Sequence, residues 1–363
     1  MPFLPFQRCS WLVCGLMAGM WSACSSGGGQ TTTLPLPTGH YEGPISYQGA
    51  ELRVALDLRE ESPGKLSADL HFPEIAGLSF AAANVRYKEP QLMFEQPGQP
   101  SAIAVNAIRE GDFLRGVFTL DSVKTEFVWV RRGQAAARVY QEKAFAFQLQ
   151  GQSQRLTLLV PTDTSSRHPV VALLADAASA GSAATRADLL ARQGFLAVVV
   201  PLTAPVSETD SAALYRAVAV VQALRKEPSA DSTQIGLWLR GSSAAALVGA
   251  AGLAQPKAAF VVLENVPAAS TVQARPFLQV SRQLPVLALY AAADTSLNVR
   301  ESSRRLRTAL GGRRGSMVRT FPQANADFIV PGRLSADGKW TWPQPAPNFV
   351  EGLTTWLRQR GQR

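Results

Sequence analysis

Ser242, Ser243, Asp176 and Asp294 are the residues whose types could carry nucleophilic or acid–base chemistry in this chain. A serine hydroxyl is a weak nucleophile until an adjacent base takes its proton, and such help contributes about 10²–10⁴-fold. The usual base is histidine, and this sequence has three, His40, His71 and His168, with none after position 168. Ser243 lies in Gly241-Ser242-Ser243-Ala244-Ala245, with small residues two positions away on either side. Serines ahead of an alanine-rich run are also good helix N-caps, so Ser243 has both a chemical and a structural reading. Asp294 follows an apolar run, where it can serve as an acid or as a turn residue. The three cysteines, Cys9, Cys14 and Cys24, all precede residue 25, which excludes a disulfide-stapled body and a cysteine-rich zinc site. No P-loop or dinucleotide fingerprint is present, and no cofactor or metal is expected.

The elements that must position these residues change character along the chain. Residues 39–133 carry short alternating runs such as ELRVALDL (51–58) and EFVWVR (126–131), punctuated by Pro and Gly. Period-two runs of this kind predict a small antiparallel β module, a barrel or sandwich. Gly43 and Gly116 fall inside strand-like runs and suggest bulges or tight curvature. From residue 140 to 363, continuous apolar runs alternate with helical segments. A hairpin is expected over 143–160, strands over 170–174, 195–200, 235–239, 259–263, 285–290 and 317–321, and helices over 186–192, 211–226, 244–253, 298–310 and 349–358. Apolar strands alternating with helices imply an α/β domain, a mostly parallel sheet covered on both faces. Its ligand chemistry belongs outside the carboxyl ends of the strands. His168 opens the 170–174 strand and so falls at the opposite, amino edge.

This order, with Glu142–Pro161, Ile235-Gly236-Leu237-Trp238, Pro285–Asp294 and Trp356-Leu357-Arg358, resembles the α/β-hydrolase superfamily. The likeness is to secreted bacterial serine hydrolases with an N-terminal β module. The resemblance implies a serine on a G-x-S-x-G elbow, then an acid, then a histidine. Without a gap, the nucleophile position falls on Gly241, with Leu239 and Ser243 in place of the flanking glycines. A shift of two residues makes Ser243 the nucleophile but lengthens the preceding strand. Asp294 stands where the resemblance places the acid. Relatives carry a P-x-A-x-H-x-F-like stretch, matched here by Pro322-Gln323-Ala324-Asn325-Ala326-Asp327-Phe328, with Ala326 at the histidine position. Where relatives carry His-Gly beside the oxyanion, this chain has Ala175-Asp176, and a carboxylate there opposes a developing negative charge. The expectation is a hydrolase-like frame without serine-hydrolase activity, acting in binding or scaffolding. The alternatives are a weak esterase or acyl-hydrolase using Ser243 and Asp294 with a non-histidine base, or a different activity in the same cleft using Asp176.

Residues 1–23 read as an export signal, with Arg8 ahead of the short apolar run CSWLVCGLMAGM (9–20). Trp21-Ser22-Ala23-Cys24 resembles a bacterial lipobox, which implies lipidation at Cys24, a membrane-anchored lipoprotein of the cell envelope and a flexible tether over 24–38. The net charge is +9. Arg300, Arg304 and Arg307 share one face of the predicted 298–310 helix and form a candidate contact for an anionic envelope component. No aromatics interleave with them, so nucleic acid is not an expected partner.

Overall fold

Residues 39–133 alternate with the period of strands that bury one face, and they form nine of them. A computed structural model of the protein describes residues 35–75, 77–97, 103–121, 123–202, 211–313 and 315–360. Residues 1–34, which include the segment read as an export signal, Cys24 and most of the expected tether, lie outside the described residues. The nine strands are β1 (Gly39–Tyr47), β2 (Ala50–Ser62), β3 (Lys65–His71), β4 (Ser79–Ala81), β5 (Ala83–Lys88), β6 (Gln91–Glu95), β7 (Ile103–Glu110), β8 (Phe113–Leu120) and β9 (Val123–Gly133). They run in the order β4-β3-β2-β1-β9-β8-β7-β6-β5, and every neighbouring pair is antiparallel. β3 also approaches β5, so the sheet curls into a near-barrel around Tyr41, Ile45, Leu56, Phe118 and Trp129. The strand register runs unbroken through Gly43 and Gly116, so neither marks a bulge. Close packing explains Gly116 instead: a Cβ there would fall 2.0 Å from the Asn106 carbonyl oxygen.

The second sheet is built from β10 (Tyr140–Leu149), β11 (Gln152–Pro161), β12 (His168–Ala175), β13 (Leu196–Pro201), β14 (Ala230–Arg240), β15 (Phe260–Glu264), β16 (Val286–Ala291) and β17 (Met317–Phe321). Its order is β10-β11-β13-β12-β14-β15-β16-β17. β10 and β11 pair antiparallel, β11 pairs antiparallel with β13, and the other pairs are parallel. The helices are α1 (Ala180–Arg192), α2 (Ser211–Leu224), α3 (Ala244–Leu247), α4 (Ala250–Leu253), α5 (Thr271–Ser281), α6 (Val299–Leu310) and α7 (Phe349–Arg360). Alternate residues of β12 choose opposite faces. Val170, Ala172 and Leu174 join a core with α2 to α6, whereas Val171 and Leu173 join a core with α1 and α7. This is an α/β-hydrolase-like sheet with helices on both faces. The helix expected over 244–253 is instead two single turns, α3 and α4, separated by Val248 and Gly249.

Between β17 and α7 the chain makes four two-residue strands, β18 (Ile329–Val330), β19 (Arg333–Leu334), β20 (Trp340–Thr341) and β21 (Gln344–Pro345). β18 pairs with β21 and β19 with β20. Trp342 is buried in the near-barrel's core and Trp340 packs against it. The Trp340 amide donates to the Gln48 carbonyl at 3.1 Å, and its ring meets Tyr47 edge-on at 5.2 Å. The excursion therefore fastens the β module to the second sheet, and Leu36–Arg363 form one compact unit.

Candidate functional site

The carboxyl ends of β12, β14, β15, β16 and β17 bring the sequence-predicted site residues to one edge of the sheet. β14 continues one residue beyond the expected end, so Arg240 pairs in register with Glu264 at the end of β15. The chain then turns at Gly241, whose φ is +65° and whose amide donates to the Glu264 carbonyl at 3.0 Å. A left-handed turn of this kind costs an ordinary residue about 1–2 kcal/mol and costs glycine little. A Cβ at Gly241 would meet no other atom within 4 Å, so the backbone conformation and not crowding favours glycine here. The ungapped register is the one adopted, and Gly241, not Ser243, holds the turn. Ser243 lies in right-handed backbone ahead of α3, and its side chain caps no amide of that helix. Its hydroxyl donates back to the Arg240 carbonyl at 3.2 Å, and the residue is buried.

Arg240 is the hub of this edge. Its Nη1 donates to Asp327 Oδ1 at 2.9 Å and lies 3.3 Å from Glu264 Oε1, while Nη2 donates to the Ala326 carbonyl at 3.1 Å. Burial disfavours its charge, but Glu264 and Asp327 more than offset that and hold the guanidinium above its ordinary pKa. Glu264 is almost wholly buried and accepts a 2.7 Å hydrogen bond from Trp238 Nε1. A second arginine, Arg186 of α1, lies 3.5 Å from Glu264 and donates to the Asp327 carbonyl at 2.7 Å. Ser182 of α1 donates to the Asp327 carboxylate at 2.7 Å. Two arginines thus face two carboxylates, the buried Glu264 and the half-buried Asp327, and a buried negative charge requires such pairing.

The segment carrying position 326 is held from both sides. Asn325 Oδ1 accepts the amides of Asp327 and Ile329, each at 3.0 Å. Phe328 is fully buried, stacked on Phe349 at 4.6 Å and edge-on to Phe321 at 5.2 Å. Asn265, directly after β15, donates to the Ala326 carbonyl at 3.0 Å and accepts the Ala291 amide at 2.9 Å. At the position where the resemblance expects a histidine, a methyl side chain and a doubly bonded carbonyl are therefore present. Neither is a base of useful strength.

Asp294 lies close enough to Arg240 to contribute to its raised pKa. Its carboxylate is taken up by its own loop, accepting from the Ser296 amide at 2.9 Å and the Ser296 hydroxyl at 2.6 Å. Asp176 likewise turns inward, accepting from the Ser179 amide at 2.9 Å and hydroxyl at 2.7 Å at the start of α1. Both aspartates make the local turn bonds typical of that residue. Ser243, Asp294 and Ala326 all gather around Arg240, but among the described residues the Ser243 hydroxyl goes to the Arg240 carbonyl and the Asp294 carboxylate to Ser296, not to each other.

The histidines lie elsewhere. His168 opens β12, roughly 23 Å from Ala175 at the carboxyl end, at 3.3 Å per residue. His40 and His71 share Asp57, at 2.8 and 3.2 Å, in the β module. On the face of α6 proposed for anionic contacts, Arg304 is paired to Glu301 at 2.6 Å and Arg307 donates to Thr320 Oγ1 at 3.2 Å, while Arg300 is exposed. Among the described residues, no group of three His, Cys, Asp or Glu side chains could hold a metal ion. Sequence reasoning missed Arg186, Arg240, Glu264, Asn265 and Asp327. The available signal was the placement of Arg240 and Glu264 directly after apolar strands, where a parallel sheet exposes its chemistry.

No family model matches the chain, and no curated protein matches it. Several solved structures are similar to about three fifths of it. A dienelactone hydrolase-like promiscuous phosphotriesterase from metagenomic libraries is 17% identical, with a TM-score of 0.43, covering 62% of this chain and 98% of its own. A bacterial heroin esterase is 15% identical, with a TM-score of 0.43, covering 61% and 84%. Carboxyl esterase 2 of the fungus Tuber melanosporum is 13% identical, with a TM-score of 0.42, covering 62% and 89%. The strand order and the two helical faces described above make the second sheet α/β-hydrolase-like in their own right.

Proposed function

We propose that this chain is a cell-envelope lipoprotein whose hydrolase-like domain binds or scaffolds and does not hydrolyse through a serine. The observation that carries the reading is the Arg240 hub. Gly241 offers no nucleophilic atom at the turn, Ala326 offers no base, and the Arg240 guanidinium ties Asp327, the Ala326 carbonyl and Glu264 together between them. Ser243 has a hydroxyl, but it is buried and donated to a backbone carbonyl. Anchoring through Cys24 rests on the lipobox-like Trp21-Ser22-Ala23-Cys24, and exposed Arg300 supports a contact with an anionic envelope component.

The test is turnover of p-nitrophenyl acetate and butyrate by the purified protein and by Ser243→Ala. The reading expects rates no higher than those of a protein-free control in both. Turnover by the wild type that disappears in Ser243→Ala would establish the weak esterase instead. Anchoring is tested separately by metabolic labelling with a palmitate analogue, which should mark the wild type and not Cys24→Ser.

A further inference from the structure

β17 is the last strand of the second sheet, and its outer edge pairs with no strand among the described residues. In a parallel ladder, alternate residues direct both of their backbone groups to the same neighbouring strand. The Phe321 carbonyl accepts the Ala292 amide at 2.9 Å, so Met317, Arg319 and Phe321 bond toward β16. Val318 and Thr320 therefore turn their amides and carbonyls to the outer edge. Among the described residues, nothing takes up those four groups. An edge of this kind is a template for another extended chain.

A groove of about 710 Å³ lies against this strand, within the usual size range of ligand sites. One wall is the consecutive run 319–323, and the other is the β18–β21 excursion, with Pro331, Arg333 and Pro345. Its charged lining residues are Arg319 and Arg333, and no Asp or Glu lines it. Neither arginine makes an ion pair among the described residues. Arg319 Nε donates to Met317 Sδ at 3.1 Å, and its guanidinium fills the space that a Cβ at Gly352 of α7 would need. It therefore lies on the α7 face of the sheet and not across the open edge. On the opposite face, Arg307 donates to Thr320 Oγ1 at 3.2 Å and has no carboxylate partner among the described residues either. The charge excludes a second copy of this chain as the natural occupant. A twofold antiparallel pairing that engages Val318 and Thr320 in both copies would set Arg319 opposite Arg319, and like charges directly opposite are destabilising.

We infer that the outer edge of β17 and its groove bind an extended acidic peptide segment of a partner protein. The peptide main chain pairs with Val318 and Thr320, and its carboxylates meet Arg319, Arg333 and Arg307. The open backbone groups select an extended peptide over other anions, and the arginines select acidic side chains. The groove shares no residue with the Arg240 network, so the inference goes beyond the reading of that edge and stands whether or not the edge turns over esters.

The experiment is fluorescence anisotropy on the full chain with three labelled octapeptides. One alternates Thr and Glu, one alternates Thr and Lys, and one is the Thr–Glu peptide N-methylated throughout, which keeps every charge but cannot donate to a strand. The Thr–Glu peptide should bind at least tenfold more tightly than either of the others. Arg319→Gln combined with Arg333→Gln should weaken its binding at least tenfold and flatten the dependence on salt. Thr320→Pro removes one outward amide at an edge position that tolerates proline, and it should weaken binding at least fivefold with the circular dichroism spectrum unchanged. No binding of the Thr–Glu peptide, equal binding of the N-methylated peptide, or binding unchanged in the double arginine variant would each overturn the inference. Phosphatidylglycerol vesicles that bind through Arg319 and Arg333 while the peptide does not would assign the groove to an anionic membrane surface instead. A dimer in sedimentation velocity that Thr320→Pro dissociates would give the edge to a second copy, and it too would overturn the inference.

Discussion

Two part-buried polar clusters among the described residues differ in composition and in place. The cluster at the carboxyl edge of the second sheet stands where parallel sheets present their ligand chemistry, and it holds arginines, carboxylates and an amide but no histidine. The cluster where the near-barrel meets α1 and β10 holds two histidines and stands where no nucleophile is presented. There Asp57 meets His40 and His71, and Asp69, wholly buried, is paired to Arg59, Arg138 at 3.0 Å and Arg192 at 2.9 Å. Arg192 continues to Asp188 at 2.8 Å, which accepts from the Tyr140 hydroxyl at 2.5 Å. Burial opposes the charge on Asp69, but Arg138, Arg192 and Arg59 overcome it and hold its carboxyl below the ordinary range. The difference teaches that a residue's type is not its role: the histidines here lie where two parts of a fold join, while the carboxyl edge of the second sheet is occupied by arginine–carboxylate pairs.

The largest effects should come from removing the central carboxylate of each cluster. Glu264→Ala leaves Arg186 and Arg240 without their shared partner, and Asp69→Ala removes the buried carboxylate that Arg59, Arg138 and Arg192 share. Each should lower unfolding free energy by about 3–5 kcal/mol in urea titrations, the cost of an uncompensated buried charge. If Glu264→Ala alone were neutral, Glu264 would not be the carboxylate that holds Arg186 and Arg240 together. An intermediate effect is expected from Gly241→Ser, which places a hydroxyl at the left-handed turn at a cost of about 1–2 kcal/mol. Combined with Ala326→His, it should still show no ester turnover above background, because Arg240 remains bonded to Asp327 and to the 326 carbonyl. Turnover in that double variant would mean that only two side chains, and not the network, separate this edge from a working one.

The smallest effects should be in the pH dependence of the junction, followed by thermal unfolding. For His40, burial lowers the pKa, but the hydrogen bonds and charges of Glu42 and Asp57 outweigh it, so the folded value lies above 6.5. Its stabilisation is full below pH 6.5 and is lost as pH rises through the folded value. His40→Ala should therefore lower Tm more at pH 6 than at pH 8.5. His71 has the opposite sign: burial, then Arg192, keep its pKa below 6.5 despite Asp57 and Asp69. The unfolded chain takes up that proton first, so stability falls as pH drops below 6.5, and His71→Ala should flatten this acid limb. Equal shifts at both pH values for His40→Ala would show that its pKa is not raised in the fold.

Much of the frame was legible because buried parallel strands must be continuously apolar. VVALL, FLAVVV and IGLWL announce central strands, and their alternation with helices announces the sheet. The sequence also places Ala326 where the resemblance expects a histidine, since Pro322, Ala324 and Phe328 match the surrounding frame. The elbow register was open in the sequence, and it was decided by one extra residue of strand pairing, Arg240 with Glu264, which leaves Gly241 at the turn. The charge network was not legible. Arg240 and Asp327 are 87 positions apart, and they meet only once the strand order has placed β14 beside β15 and the segment after β17 over their ends. Trp340 and Trp342 carry no periodic signal, so their grip on the near-barrel emerges only in three dimensions.

The central claim is that the edge of the second sheet presents no activated serine. Its most direct test is the intact mass of the purified protein after incubation with a fluorophosphonate, which forms a covalent adduct with such a serine. The account predicts an unchanged mass at all incubation times. A stoichiometric adduct mapped by peptide sequencing to Ser243 would contradict it.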